Sequence, residues 1–135
     1  QATSTVLIYV DDVADTAVPS TNLDQNVDYT RADAGIGHDW SAAGNPGTNK
    51  MNGDMAEFWF EDGVFLDLTI DANRRKFISA AGKPVDLGAD GALPTGTSPL
   101  IFLSGATVAW HTNKGTGGGF TEIGALTTAS SSPSD

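Results

Sequence analysis

The segment 51–78, MNGDMAEFWFEDGVFLDLTIDANRRKFI, constrains the fold of this chain more than any other. It is the densest run of large apolar side chains in the sequence. From Met55 to Phe60 the residues alternate in character. A strand here puts Ala56, Phe58 and Phe60 on one face and Met55, Glu57 and Trp59 on the other. Glu57 lies mid-strand, so its face is expected to be wet or partly covered, and the Ala56/Phe58/Phe60 face is the expected core face. Asn52-Gly53 is a turn signal, because both residues tolerate positive φ. Past the strand the periodicity changes. Asp71 is placed to cap a helix N-terminus by accepting from a free backbone N–H. A short helix is predicted over 72–81, with Ile70, Phe77, Ile78 and Ala81 on one side. Gly82 and Pro84 supply its stop. Arg74, Arg75 and Lys76 read as a solvated face of that helix, or as an ionic contact with an acidic neighbouring subunit that salt would weaken.

A chain of 135 residues supports one domain with a modest core. Hydrophobic residues make up 39% and charged residues 18%, and 16 Gly with 6 Pro imply many turns, a balance that favours an all-β fold over a helical bundle. The net charge of −10 opposes non-specific binding to nucleic acid or to anionic membranes. There is no cysteine, hence no disulfide framework and no thiolate metal site. No apolar run approaches the roughly 18 residues of a membrane span. The chain starts at Gln1, almost directly in a strand, so an upstream segment is expected in the native polypeptide.

Along the chain, Thr5–Val10 is a predicted strand with apolar residues on both faces, suited to a central position. Asp11-Asp12 is a tight turn, and Val13–Val18 returns as a weaker strand. Short strands are expected around Val27 and Tyr29 and over Ala34–Gly37. The segment 38–50, HDWSAAGNPGTNK, reads as a long polar loop, a length more often functional than idle. After the loop-rich stretch 82–99, strands are expected over Leu100–Leu103, over Thr107–His111 with Val108 and Trp110 on one face, and over Phe120–Ile123. Asn113–Gly119 reads as a flexible turn. The domain is expected to span 1–125, with 126–135 a polar, mobile tail.

Two aromatics stand beside polar groups: Asp39-Trp40, after His38, and Trp110-His111. Such pairs can stack a sugar ring while bonding its hydroxyls. The alternative is that both Trp pack at sheet edges. His38 and His111 have no metal-ligand partner at helical spacing and read as hydrogen-bonded surface residues. Gly115–Gly119 lacks the Gly-Lys-Ser/Thr signature and the strand-to-helix setting of a phosphate loop.

The order of Ile8-Tyr9-Val10-Asp11-Asp12, Gly35-Ile36-Gly37, a long loop, Asn52-Gly53-Asp54-Met55-Ala56-Glu57-Phe58-Trp59-Phe60 and a helix resembles the C-terminal half of a concanavalin A-like, laminin-G-type jelly roll. Asp12 stands where that family usually has Gly, and the segment after Phe60 departs from the family's shorter helix opening. The wording of 67–78, of 82–91 and of 110–121 looks like lectin-fold proteins of tailed bacteriophages and prophages. The resemblance implies an antiparallel β-sandwich (jelly roll) with one short helix, incomplete in this chain, whose apolar strands are covered by upstream strands or a neighbouring chain. Because laminin-G-type domains often hold calcium at a rim, it implies Asp11, Asp12, Asn52 and Asp54 as oxygen donors for calcium. Glucanases share the fold, but Glu57 and Glu61, four residues apart at ~3.3 Å each, are about 13 Å apart, against the ~5 Å of retaining and roughly 6.5–9.5 Å of inverting chemistry. Their compact Glu-x-Asp-x-x-Glu pattern is absent. The expectation is a non-enzymatic virion protein (fibre, spike or capsid decoration) binding host-surface glycan, neighbouring virion subunits or copies of itself. The alternatives are a secreted or cell-surface carbohydrate-binding module and, third, a glycoside hydrolase.

Overall fold

A computed structural model of the chain describes residues 7–15, 35–40 and 46–131, with the strands at 38–40 and 46–50 described by their backbone. Among the described residues the regular structure is mostly strand, in two-stranded pairings, with little helix. That agrees with the all-β class. The chain divides into two compact units, one of residues 1–8 and 14–53, the other of 9–13 and 54–135.

In the first unit β3 (His38–Trp40) pairs antiparallel with β4 (Pro46–Lys50). His38 lies opposite Lys50 and Trp40 opposite Pro46, so the register slips by a bulge between them. The Met51 N–H donates to the Gly37 carbonyl at 2.7 Å and prolongs the ribbon. This corrects two expectations. Ile36 and Gly37 form a bend rather than a strand, and the supposed loop 38–50 contains two strands. Pro46 and the neighbouring glycines read as breakers, but in a two-stranded ribbon a residue without an N–H can sit on the open edge at no cost to the ladder. The strand expected around Val27 and Tyr29 lies outside the described residues.

β1 (Ile8–Val10) and β2 (Val13–Asp15) form the predicted hairpin; Thr5 and Val6 lie outside the described residues. Its two central residues, Asp11 and Asp12, have φ of 49° and 66°. Positive φ at both positions is the type I′ turn, which matches strand twist but normally selects Asn and Gly. The hairpin tip, Tyr9–Val13, belongs to the second unit. Tyr9 is half-buried while Val10 is exposed, so the strand is covered on one face rather than two.

The second unit is built on β5 (Phe58–Phe60) and β6 (Ile101–Leu103), antiparallel, with Phe58 opposite Leu103, Trp59 opposite Phe102 and Phe60 opposite Ile101. Directly opposed residues share a face, and both faces carry core. Leu103 backs the Phe58 side, and Phe102, like Leu103 only 1% exposed, backs the Trp59 side. This second face is partly covered at Trp59, as expected of it, and Glu57 lies just outside the strand, which begins at Phe58. Gly91 explains how. With φ of 77° it approaches so closely that a Cβ there would sit 2.8 Å from the Phe102 ring, and its carbonyl accepts the Trp59 indole N–H at 2.9 Å.

The helix is shorter than its periodicity suggests. α1 spans Asp71–Arg74, with Ile70 at the N-cap and no side-chain cap bond, so Asp71 is not the cap. Helical hydrogen bonds continue to Ile78 N–H···O=C Arg74, after which Ile78 bridges to Pro84 and the Ser79 N–H donates to Lys83 O. The Arg75 guanidinium closes this end by donating to the carbonyls of Ile78 and Ser79. At the far side of the sheet, Thr107–Ala109 is a 3-10 turn rather than a strand, leaving Val108 86% exposed. Trp110 is drawn inward instead, its indole N–H donating to Ala56 O at 2.8 Å.

Asn113–Gly119 is not a loose turn. The Asn113 side chain accepts from the N–H groups of Phe102 and Gly115 and donates to the carbonyls of Leu100 and Gly118. Backbone bonds from Lys114, Thr116 and Gly117 to Phe102, Pro99 and Leu100 complete the staple. Phe120–Ile123 is irregular rather than a strand.

Candidate functional site

In the second unit the hairpin tip, β5, the loop after it and α1 border an open apolar cleft of about 410 Å³. Trp59, Phe77 and Ile78 supply its aromatic and branched surface, Val64, Leu66 and Leu68 its aliphatic side, and Tyr9, Asp11, Asp12 and Arg74 its polar rim. The Trp59 ring is fixed twice, by its bond to Gly91 O and by an edge-to-face contact with Phe77 at 5.2 Å and 69°. Asp67 sets the loop: its carboxylate accepts from the Thr69 N–H at 2.9 Å and hydroxyl at 2.6 Å, and its carbonyl accepts from Asn73 Nδ2 at 3.0 Å. The two Thr69 bonds hold the Asp67 carboxyl below the usual range, the hydroxyl contributing most.

The rim is a clamp. Arg74 Nε donates to Asp12 Oδ1 at 2.6 Å, and Arg75 Nη2 donates to the other oxygen of the same carboxylate. Arg74 also donates to the carbonyls of Leu68 and Thr69 and to Asp71, and its guanidinium lies 4.9 Å from the Tyr9 ring centre. The bonds from Arg74, then Arg75, push the Asp12 carboxyl pKa down, and Asp12 in turn raises that of Arg74. Two members of the basic triplet are thus neutralised within the chain rather than presented as a solvated face. With both guanidinium groups spent on protein acceptors, the cleft has no cation reserved for an anionic ligand. Asp11 differs: it makes no hydrogen bond or ion pair with any described residue.

The predicted site residues fall apart. Asp39 and Trp40 lie in β3 of the first unit, and their side chains are outside the description. Trp110 and His111 lie in the second unit. The Trp110 N–H is committed to Ala56, which removes it as a donor to a sugar hydroxyl. His111 Nδ1 stands 3.5 Å from Glu122 Oε2 and makes no hydrogen bond with a described residue. Of the calcium set, Asp12 already faces two guanidinium groups, and a divalent cation would have to displace both. Asn52 and Asp54 are exposed, and among the described residues no three His, Asp or Glu side chains gather where they could hold a metal. This set does not fit a calcium ion.

The carboxylates weighed for hydrolysis have other surroundings. Glu61 accepts from the N–H groups of Asp62 and Gly63 and so shapes its own turn. Glu57 is exposed but its carboxyl is crowded enough for desolvation, then Asp86, to raise its pKa against the opposing pull of Lys114. The residues that build the cleft's aliphatic side, Leu66 and Leu68, alternate around Asp67, a pattern legible in the sequence. Gly91 carries no such signal. No protein-family model matches the chain, and no curated protein and no solved structure is significantly similar to it. No helix among the described residues is long and apolar enough to cross a membrane.

Proposed function

We propose that the chain is part of a concanavalin A-like β-sandwich in a tailed-bacteriophage particle, a structural or adhesion component working by binding rather than by catalysis. The observation that carries this reading is uncovered apolar surface on a body whose regular structure is mostly strand. Val10, Val13, Val64, Phe65 and Leu93 are exposed, beside an apolar cleft. A laminin-G-type sandwich buries the corresponding surface under a second curved sheet, and in a particle of many copies a neighbouring subunit can do the same. The order of hairpin, Phe58-Trp59-Phe60 strand and short helix supports the same assignment. Fold alone does not fix function, so the role is tested at the residues.

Binding would be multivalent, with weak rim contacts multiplied by copy number. The test is a glycan-array screen of the multimerised chain beside its Trp40→Ala variant. Loss of glycan signal in the variant supports adhesion through Trp40, whereas no glycan signal from the native chain assigns it a purely structural role. Appearance of reducing ends from β-glucan, lost in Glu57→Gln, would overturn the non-enzymatic reading.

A further inference from the structure

We propose that the cleft of the second unit is a socket for a partner polypeptide that presents an aromatic side chain next to Lys or Arg. This goes beyond the adhesion reading, because it assigns a site, a ligand chemistry and a selecting residue that hold in whatever assembly the chain serves. The space, about 410 Å³, accommodates one large side chain and its flanking backbone. Its interior offers apolar contact, and the Trp59 N–H is already held by Gly91 O. Arg74 is committed to Asp12, Asp71 and two carbonyls, and Arg75 to Asp12 and Asp71. An acidic headgroup finds no open cation here.

Among the described residues, the carboxylate at the mouth that lacks a partner is Asp11. Its neighbour Asp12 is consumed by the clamp, while Asp11 has no partner among the described residues. The bordering segments reinforce its sign. Along the bordering segments 9–13 and 58–78 the sequence carries Asp11, Asp12, Glu61, Asp62, Asp67 and Asp71 against Arg74, Arg75 and Lys76, an excess of carboxylate on a chain of net charge −10. An apolar hole with an acidic lip selects an apolar group tethered to a cation. Asp11 is also isolated structurally. At φ of 49° it occupies a left-handed position that Asn adopts at least as well, so Asp11→Asn removes the charge and keeps the turn.

The test uses the whole 135-residue chain, ¹⁵N-labelled, and two capped dipeptides, acetyl-Phe-Lys-amide and acetyl-Phe-Glu-amide. The Trp59 indole N–H, fixed on Gly91, gives a distinct reporter resonance. The Phe-Lys probe is expected to shift it at millimolar concentration, with an affinity roughly fivefold above that of Phe-Glu for a solvent-exposed charge contact at low salt. In Asp11→Asn the preference falls to near unity, and the Phe-Lys probe still shifts Trp59. Equal shifts from both probes in the native chain, or a preference that survives Asp11→Asn, overturns the proposal. A Trp59 resonance that moves on dilution of the protein alone gives the cleft to a second copy and equally overturns it.

Discussion

At the scale of single residues, adjacent aspartates in one turn have unlike roles. Asp12 sits at φ of 66°, where a β-carbon is strained, in the position a Gly would occupy without cost. What offsets the strain is its carboxylate, which gathers Arg74 and Arg75 and ties the hairpin tip to α1. Its pKa is lowered in the folded chain, so the stabilisation is present above the unfolded value, about 3.9, and is lost as pH falls through the lower folded value. Asp12→Asn keeps the turn and loses the charge. Its urea midpoint is expected below that of the native chain at pH 7, with the two curves converging as pH falls through the lowered folded value and the native Asp12 protonates. Asp11→Asn, followed by the same denaturation, shifts the midpoint little at either pH. The Asp-Asp dipeptide announces a turn in the sequence. Which of the two is clamped depends on arginines 62 and 63 residues away.

Among elements, the outer edge of β6 is closed by the segment after Trp110 rather than by another strand. Asn113 satisfies four backbone groups at once. Asn113→Ala leaves part-buried groups unpaired and is expected to cost about 1–3 kcal/mol. The amides of Phe102 and Gly115 should lose protection in hydrogen exchange, while those of β5 keep theirs. Gly115→Ala meets the same edge from the other side: its Cβ would lie 2.4 Å from Pro99 O, a backbone atom that cannot step away. A loss of about 2 kcal/mol or more is expected from overpacking, read as a lower thermal midpoint. The run NKGTGGG looks flexible because glycine is permissive. Here two of its glycines, Gly115 and Gly117, are needed for close approach to Pro99 and Leu100. Periodicity failed for a related reason at Thr107–His111. Spacing of two fits a strand, but the pull of Ala56 O on the Trp110 indole favours a 3-10 turn.

At the scale of the molecule, the described residues divide between a small buried core and a larger set of exposed apolar side chains. Leu87, Phe102, Leu103 and Pro99 are buried, whereas Phe65 is 82% exposed and Val13 69%. Apolar surface left in water contributes nothing to stability, so Phe65→Ser is expected to leave the unfolding free energy within about 0.5 kcal/mol. The same change should lower binding of a hydrophobic dye and the tendency to self-associate, seen by light scattering. A fall in thermal midpoint of several degrees would show instead that Phe65 packs within the chain.

The sequence by itself determined the all-β character, the β1–β2 hairpin, strands at Phe58–Phe60 and Ile101–Leu103 though not their pairing, and the surplus of apolar ribbon. Those follow from turn chemistry and from alternation, which act over a few residues. Only the tertiary structure decided what holds the Trp59 indole, where the helix stops, and that Asp12 faces two arginines. Two of these depend on a group far along the chain, Gly91 for the indole, Arg74 and Arg75 for the carboxylate. A local pattern records the side chain that needs a partner but not the distant atom that meets it.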